Sequence, residues 1–122
     1  MTQMAPFSLF FLFLAGHALA DYALQTEWIA TNKNRHVRKG LSPEAQKQMQ
    51  IIWPHLLTAH SLHHGLIVYL VSQSITLGVA ETVAHWLIDF GKCEKWYGFH
   101  TDQALHVVCK ILWVLAISNS WV

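Results

Sequence analysis

Four pairs of ligand-type side chains recur at a spacing of four residues: His17 with Asp21, His60 with His64, His85 with Asp89, and Asp102 with His106. Residues four apart on an α-helix share a face, with Cβ atoms about 5–6 Å from each other. Gln25 extends the first stripe by one more turn. Neutral imidazole nitrogens and carboxylate oxygens suit a divalent metal, most readily zinc, with manganese or iron as other choices. Eight such donors are enough for about two ions of about four ligands each. Two ions about 3.5–4 Å apart would turn a bridging water into a hydroxide nucleophile at neutral pH, so the chemistry expected is hydrolysis. Any one pair alone reads more simply as a hydrogen-bonded structural pair; the fourfold repetition is what points to a metal.

The elements that hold these pairs are short of water-facing side chains. Of 122 residues, 53% are hydrophobic and 12% charged, where soluble domains carry about 25% charge. Apolar stretches at roughly 6–26, 54–72, 75–91 and 103–121 are each near the length of about 20 residues that a helix needs to cross a bilayer. Their periodicity is helical. The expectation is an all-α, single-domain bundle of four transmembrane helices in contact with lipid. Ser42 and Pro43 have the types that start a helix, so a short interfacial helix is expected from about 43 to 52. Pro54 is expected to begin the second span, with Trp53 at the membrane surface. Trp28, Trp96, Tyr97 and Trp121 read as interfacial belt residues.

Lys33, Arg35, Arg38, Lys39 and Lys47 lie in the first connection and Lys92 and Lys95 in the third. The positive-inside tendency places both connections in the cytoplasm and both termini outside. All four pairs then fall at the cytoplasmic end, at similar depth. "ALAD" at 18–21 has the small residues of a cleavage site, but the first seventeen residues hold no Lys or Arg, which argues against a secretory signal. The near-neutral balance of eight basic and seven acidic residues argues against nucleic acid as a partner. Cys93 and Cys109 are expected to be free, buried thiols.

Glu81 lies one turn deeper than His85, and Lys110 one turn deeper than His106. An unpaired charge in a membrane is expensive, so the two are expected to pair and close the floor of the site. The functional alternative makes Glu81 a general base or an added ligand. Lys92 and Lys33 are candidates to attract an anionic, phosphate-containing substrate, and Gln25 and Gln103 to orient ligands or substrate. His63 faces a neighbouring helix or supplies an extra ligand, while His36, His55 and His100 read as bystanders.

The stretches "LAGHALADYALQTEW", "HSLHHG", "HWLIDFGK" and "TDQALHVV" resemble the small bacterial and phage membrane proteins grouped as domain of unknown function 3307. The likeness covers almost the whole chain, with Gln25, Lys92 and Gln103 in register beside the eight ligand-type residues. It implies a multi-helical membrane protein, often found in phage or prophage genomes, and leaves the activity open; the expected location is the bacterial inner membrane. More distantly, the chain is similar to inner-membrane metal-dependent hydrolases, which implies zinc and phosphoester cleavage.

Three functions follow as expectations. The first is a membrane-embedded, metal-dependent hydrolase acting at the cytoplasmic face on a phosphoester or lipid-linked phosphate, with Glu81, Gln25 and Lys92 as candidate catalytic residues. The second is a non-enzymatic membrane protein, either a metal or proton carrier or a phage accessory that alters the host envelope through partner contacts, in which a homo-oligomer could build a path. The third is a soluble bundle with a di-metal core, against which the missing Glu-x-x-His signature counts.

Overall fold

The computed structural model describes residues 4–37 and 39–122; the expectation for Arg38 lies outside the described residues. Among the described residues the fold is all-α, without strands. Helix α1 (Pro6–Ala18) runs into a π-helical turn (Leu19–Ala23), followed by the short α2 (Glu27–Asn32) and the long α3 (Pro43–Ser72), α4 (Ile75–Cys93) and α5 (Phe99–Ser118). The starts of α1 to α4 have a local cause. Pro6 and Pro43 occupy first-turn positions where the missing N–H costs nothing, and the hydroxyls of Thr26, Ser42 and Ser74 accept from Ile29, Ala45 and Leu77 backbone N–H groups.

Two boundaries differ from the sequence expectation. The segment 43–52 is not a separate interfacial helix, because α3 continues through Pro54. A proline inside a helix forfeits one backbone hydrogen bond at a cost of about 3 kcal/mol. Packing offsets it: Trp53 lies 6.4 Å from Trp86 and 6.0 Å from Phe90, and Trp86 Nε1 donates to Thr58 Oγ1 at 3.1 Å, all on α4 against this part of α3. The short helix of the first connection is instead α2, nearer α1. At the other end, α5 begins at Phe99, so Asp102 lies inside the helix rather than just before it.

Helices α3 and α4 form a hairpin through Gln73, whose φ of 58° ends α3 in the left-handed region. The two backbones approach closely where a glycine stands on each. A Cβ on Gly65 would lie 2.6 Å from the Gly78 carbonyl oxygen and 1.9 Å from Thr82 Oγ1. That contact fixes the register between His64, next to Gly65, and α4.

The interior divides by depth. One part is apolar: Leu9, Phe13, Val68, Leu77, Val114 and Ala116, with Phe10, Val71, Trp113 and Ile117 against them. The other is polar, and eleven buried polar or charged residues outnumber eight buried apolar ones among the described residues. The outside is the reverse, with Phe7, Phe11, Leu62, Leu66, Leu70, Ile75, Val79, Val83 and Leu87 all exposed. Two helical stretches, Pro6–Ala23 and Phe99–Ser118, are long and apolar enough to cross a membrane.

Candidate metal centre

The polar layer gathers side chains from every long helix. His17 comes from α1, Asp21 from the π-helical turn, His60 and His64 from α3, His85 and Asp89 from α4, and Asp102 and His106 from α5. The π-helical turn is marked by the Leu24 N–H, which donates to the carbonyl of Leu19 five residues back at 2.9 Å. Such single wide turns re-aim a side chain and occur often at functional sites. Here the turn brings Asp21 within reach of both α1 and α3.

Asp21 is the hub. Its Oδ1 lies 3.0 Å from His64 Nε2, 3.2 Å from His60 Nε2 and 3.9 Å from His85 Nε2, and its Oδ2 lies 3.2 Å from His17 Nε2. His60 Nε2 and His85 Nε2 are 3.2 Å apart. Three ring nitrogens and a carboxylate oxygen therefore converge on one point. Metal–nitrogen bonds of about 2.0–2.1 Å in tetrahedral geometry separate ligand atoms by about 3.3 Å, close to the observed spacing. A second group consists of Asp89, Asp102 and His106, in which His106 Nε2 stands 3.6 Å from Asp89 Oδ1 and 3.6 Å from Asp102 Oδ1. A third set of close donors, His17, His85 and His106, links the two. These buried His and Asp groups can hold a metal ion.

Several donor atoms here have no hydrogen-bond partner among the described residues: His106 Nε2, Asp102 Oδ1, and the Nδ1 atoms of His17, His60, His85 and His106. Buried polar atoms left without partners cost about 1–3 kcal/mol each; the Nδ1 atoms lie on the far side of their rings from the converging Nε2 atoms, so of these only His106 Nε2 and Asp102 Oδ1 face into the layer unmatched.

Glutamines and further charges frame the layer. Gln103 Nε2 donates to Asp21 Oδ2 at 3.2 Å and to Asp102 Oδ2 at 3.1 Å, while its Oε1 is 3.3 Å from His17 Nε2, so it spans both groups. Gln25 reaches back to donate to the Asp21 carbonyl at 3.0 Å, a contact with the backbone of Asp21 rather than with its carboxylate. Lys92 Nζ stands 3.4 Å from Asp102 Oδ2, with its side chain 35% exposed, and marks the edge of the layer nearest water. Below, Glu81 forms an ion pair with Lys110 and accepts from Trp113 Nε1 at 2.6 Å. Glu81 Oε1 also lies 3.7 Å from His85 Nδ1, the far side of a converging imidazole.

Among the remaining histidines, His63 is half-buried, His55 and His100 are exposed, and His36 lies 3.1 Å from Glu94 with Arg35 on the same carboxylate. The Arg35 guanidinium holds the Glu94 carboxyl below the usual glutamate range. Trp28, Trp96 and Trp121 are exposed. Tyr97 instead turns inward, its hydroxyl donating to the Ile88 carbonyl at 2.5 Å. Cys93 and Cys109 are free thiols, but half-buried rather than buried as expected, because each lies at the edge of its helix's packed face.

Sequence spacing did not reveal the place of two participants, Trp113 and Lys33, the latter expected at the surface as an attractor of anionic substrate and found instead buried against a carboxylate. Lys33, from the connection after α2, is buried and forms an ion pair with Asp89. Its pairing with a residue 56 positions away leaves no trace in local spacing. Trp113 was detectable in principle, three residues beyond Lys110 on the same helix face.

No curated protein and no solved structure matches the chain. The family described as "Protein of unknown function (DUF3307)" matches residues 9–122, a span that contains every residue of the polar layer. The chain belongs to the DUF3307 family.

Proposed function

We propose that the chain is a four-span protein of the bacterial inner membrane that holds a divalent cation, zinc first, in its polar layer and hydrolyses a phosphoester or lipid-linked phosphate at the cytoplasmic face. The observation that carries this is the convergence of Asp21 Oδ1 with the Nε2 atoms of His60, His64 and His85 in a buried layer. Ionisable groups inside a membrane protein mark functional sites by default, because they are otherwise costly to insert.

The exposed apolar surfaces of α3 and α4 support lipid contact along these helices as well as along α1 and α5. At 30 residues α3 is about 45 Å long, more than the hydrocarbon layer of about 30 Å, so its first turns would project into the cytoplasm beside the basic connection. A bound divalent ion would polarise a phosphoryl oxygen and lower the pKa of water. The chain's own residues have separate tasks. Asp21, His60, His64 and His85 would bind the ion, with His17, Asp89, Asp102 and His106 completing the donor layer. Gln25 and Gln103 would fix Asp21. Lys92, at the wet edge, would draw in the anionic group. Glu81, whose oxygens meet Lys110 and Trp113, would orient His85 from behind rather than take a proton from water.

A second reading draws on the burial of the layer, since most of its ligand-type side chains are under 10% exposed. A metal or proton carrier, or an envelope accessory with a structural polar layer, needs no substrate access. One assay separates the two. Detergent-purified protein with zinc added should hydrolyse a phosphoester such as a bis-aryl phosphate or a lipid phosphate, and His60→Ala with His64→Ala should abolish the reaction. Metal retained without any hydrolysis across these substrates would favour the carrier.

A further inference from the structure

Lys33 is the cation of the polar layer that does not come from a long helix. It is 6% exposed, and the capped helix α2 delivers its ammonium onto Asp89 Oδ2. Building on the metal reading above, we propose that the layer is a one-ion centre: the ion sits among Asp21, His60, His64 and His85, and the Lys33 ammonium serves as the fixed cation of the neighbouring Asp89–Asp102–His106 group, in place of a second ion.

The two groups differ little in spacing but clearly in charge. Asp21 meets imidazoles and Gln103, none of which need carry a positive charge. In the second group each carboxylate already has a lysine on its Oδ2: Lys33 on Asp89 and Lys92 on Asp102. With neutral imidazoles, the three aspartates and two lysines leave the layer with a single negative charge, which one divalent ion converts to a single positive one. A second divalent ion would leave three positive charges in a poorly solvated interior, an expensive arrangement. Lys92 can withdraw towards water because its side chain is 35% exposed. Lys33 has no such route, so it is the residue that sets the ion count. It also stands at Asp89, whose Oδ2 is 3.5 Å from His60 Nε2, between the two groups.

The test counts zinc per chain in detergent-purified protein after equilibration with zinc and removal of the excess. Wild type and Lys33→Arg should retain about one ion, and Lys33→Met, which frees Asp89, about two. One ion in both wild type and Lys33→Met, or two in wild type, overturns the fixed-cation proposal while leaving a metal centre standing. No ion in wild type overturns both. Should Lys33→Met fail to fold, the zinc-loaded wild type decides: an amine-acylating reagent mapped by peptide mass should modify Lys33 at least about tenfold more slowly than the exposed Lys39 and Lys47. Equal rates would mean that the ion displaces Lys33, and would overturn the proposal.

Discussion

The same long helices build two interiors with opposite chemistry. Around Phe13, Leu9 and Val68 the bundle is held by shape, and the groups in contact are interchangeable in kind if volume is kept. Around Asp21 and His85 it is held by directed polar contacts, and several donor atoms there remain unmatched. An apolar layer would hold four helices together at lower cost. The polar layer therefore makes sense as a site, with the apolar layer as the clamp that keeps its donors at one depth. Between them, Glu81, Lys110 and Trp113 form the boundary.

That contrast can be broken from either side. The largest effect is expected at the donors: His60→Ala with His64→Ala should remove metal retention and hydrolysis altogether, as measured by metal analysis and phosphoester turnover, while circular dichroism still reports a helical chain. At the boundary, Lys110→Met leaves the Glu81 carboxylate buried and unpaired and should cost about 3–5 kcal/mol of unfolding free energy in detergent. Replacing both partners by apolar residues, Lys110→Met with Glu81→Leu, should recover most of that loss. In the clamp, Phe13→Ala should destabilise by a comparable 3–5 kcal/mol or so through the cavity it leaves, yet folded protein should still retain metal. Loss of metal in folded Phe13→Ala would show that the two interiors are not separable.

Gly65→Ala sharpens the comparison further, since its methyl group meets the Gly78 carbonyl and pushes α3 from α4. It should cost about 1–3 kcal/mol and weaken metal affinity, because His64 moves with the helix. The smallest effect is expected outside both layers, at the exposed Arg35–Glu94 pair. Arg35 lowers the Glu94 carboxyl below its ordinary range, so the pair's contribution is present above that range and lost as pH falls through the lowered value. Arg35→Ala should flatten this acid limb of the unfolding curve and leave metal content unchanged.

The four pairs were legible in the sequence because spacing of four residues is a local property of helices, and their common depth followed from alternating helix direction. The Glu81–Lys110 pair was legible for the same reason, as charges at matched depth. What escaped was set by tertiary contact. Continuation of α3 through Pro54 rests on Trp53 meeting Trp86 and Phe90 across the hairpin. The π-helical turn that aims Asp21 has no residue signature of its own, and burial of Lys33 depends on a connection folding back over α4. In each case a neighbour distant in sequence decided the outcome.

X-ray absorption at the zinc edge of the loaded, detergent-purified chain addresses the metal centre most directly. A shell of nitrogen and oxygen at about 2.0–2.1 Å with imidazole scattering in the wild type, and no zinc retained by the His60→Ala, His64→Ala variant, is the predicted result. A sulfur shell at about 2.3 Å, implicating Cys93 or Cys109, or failure of the wild type to retain zinc at all, would contradict it.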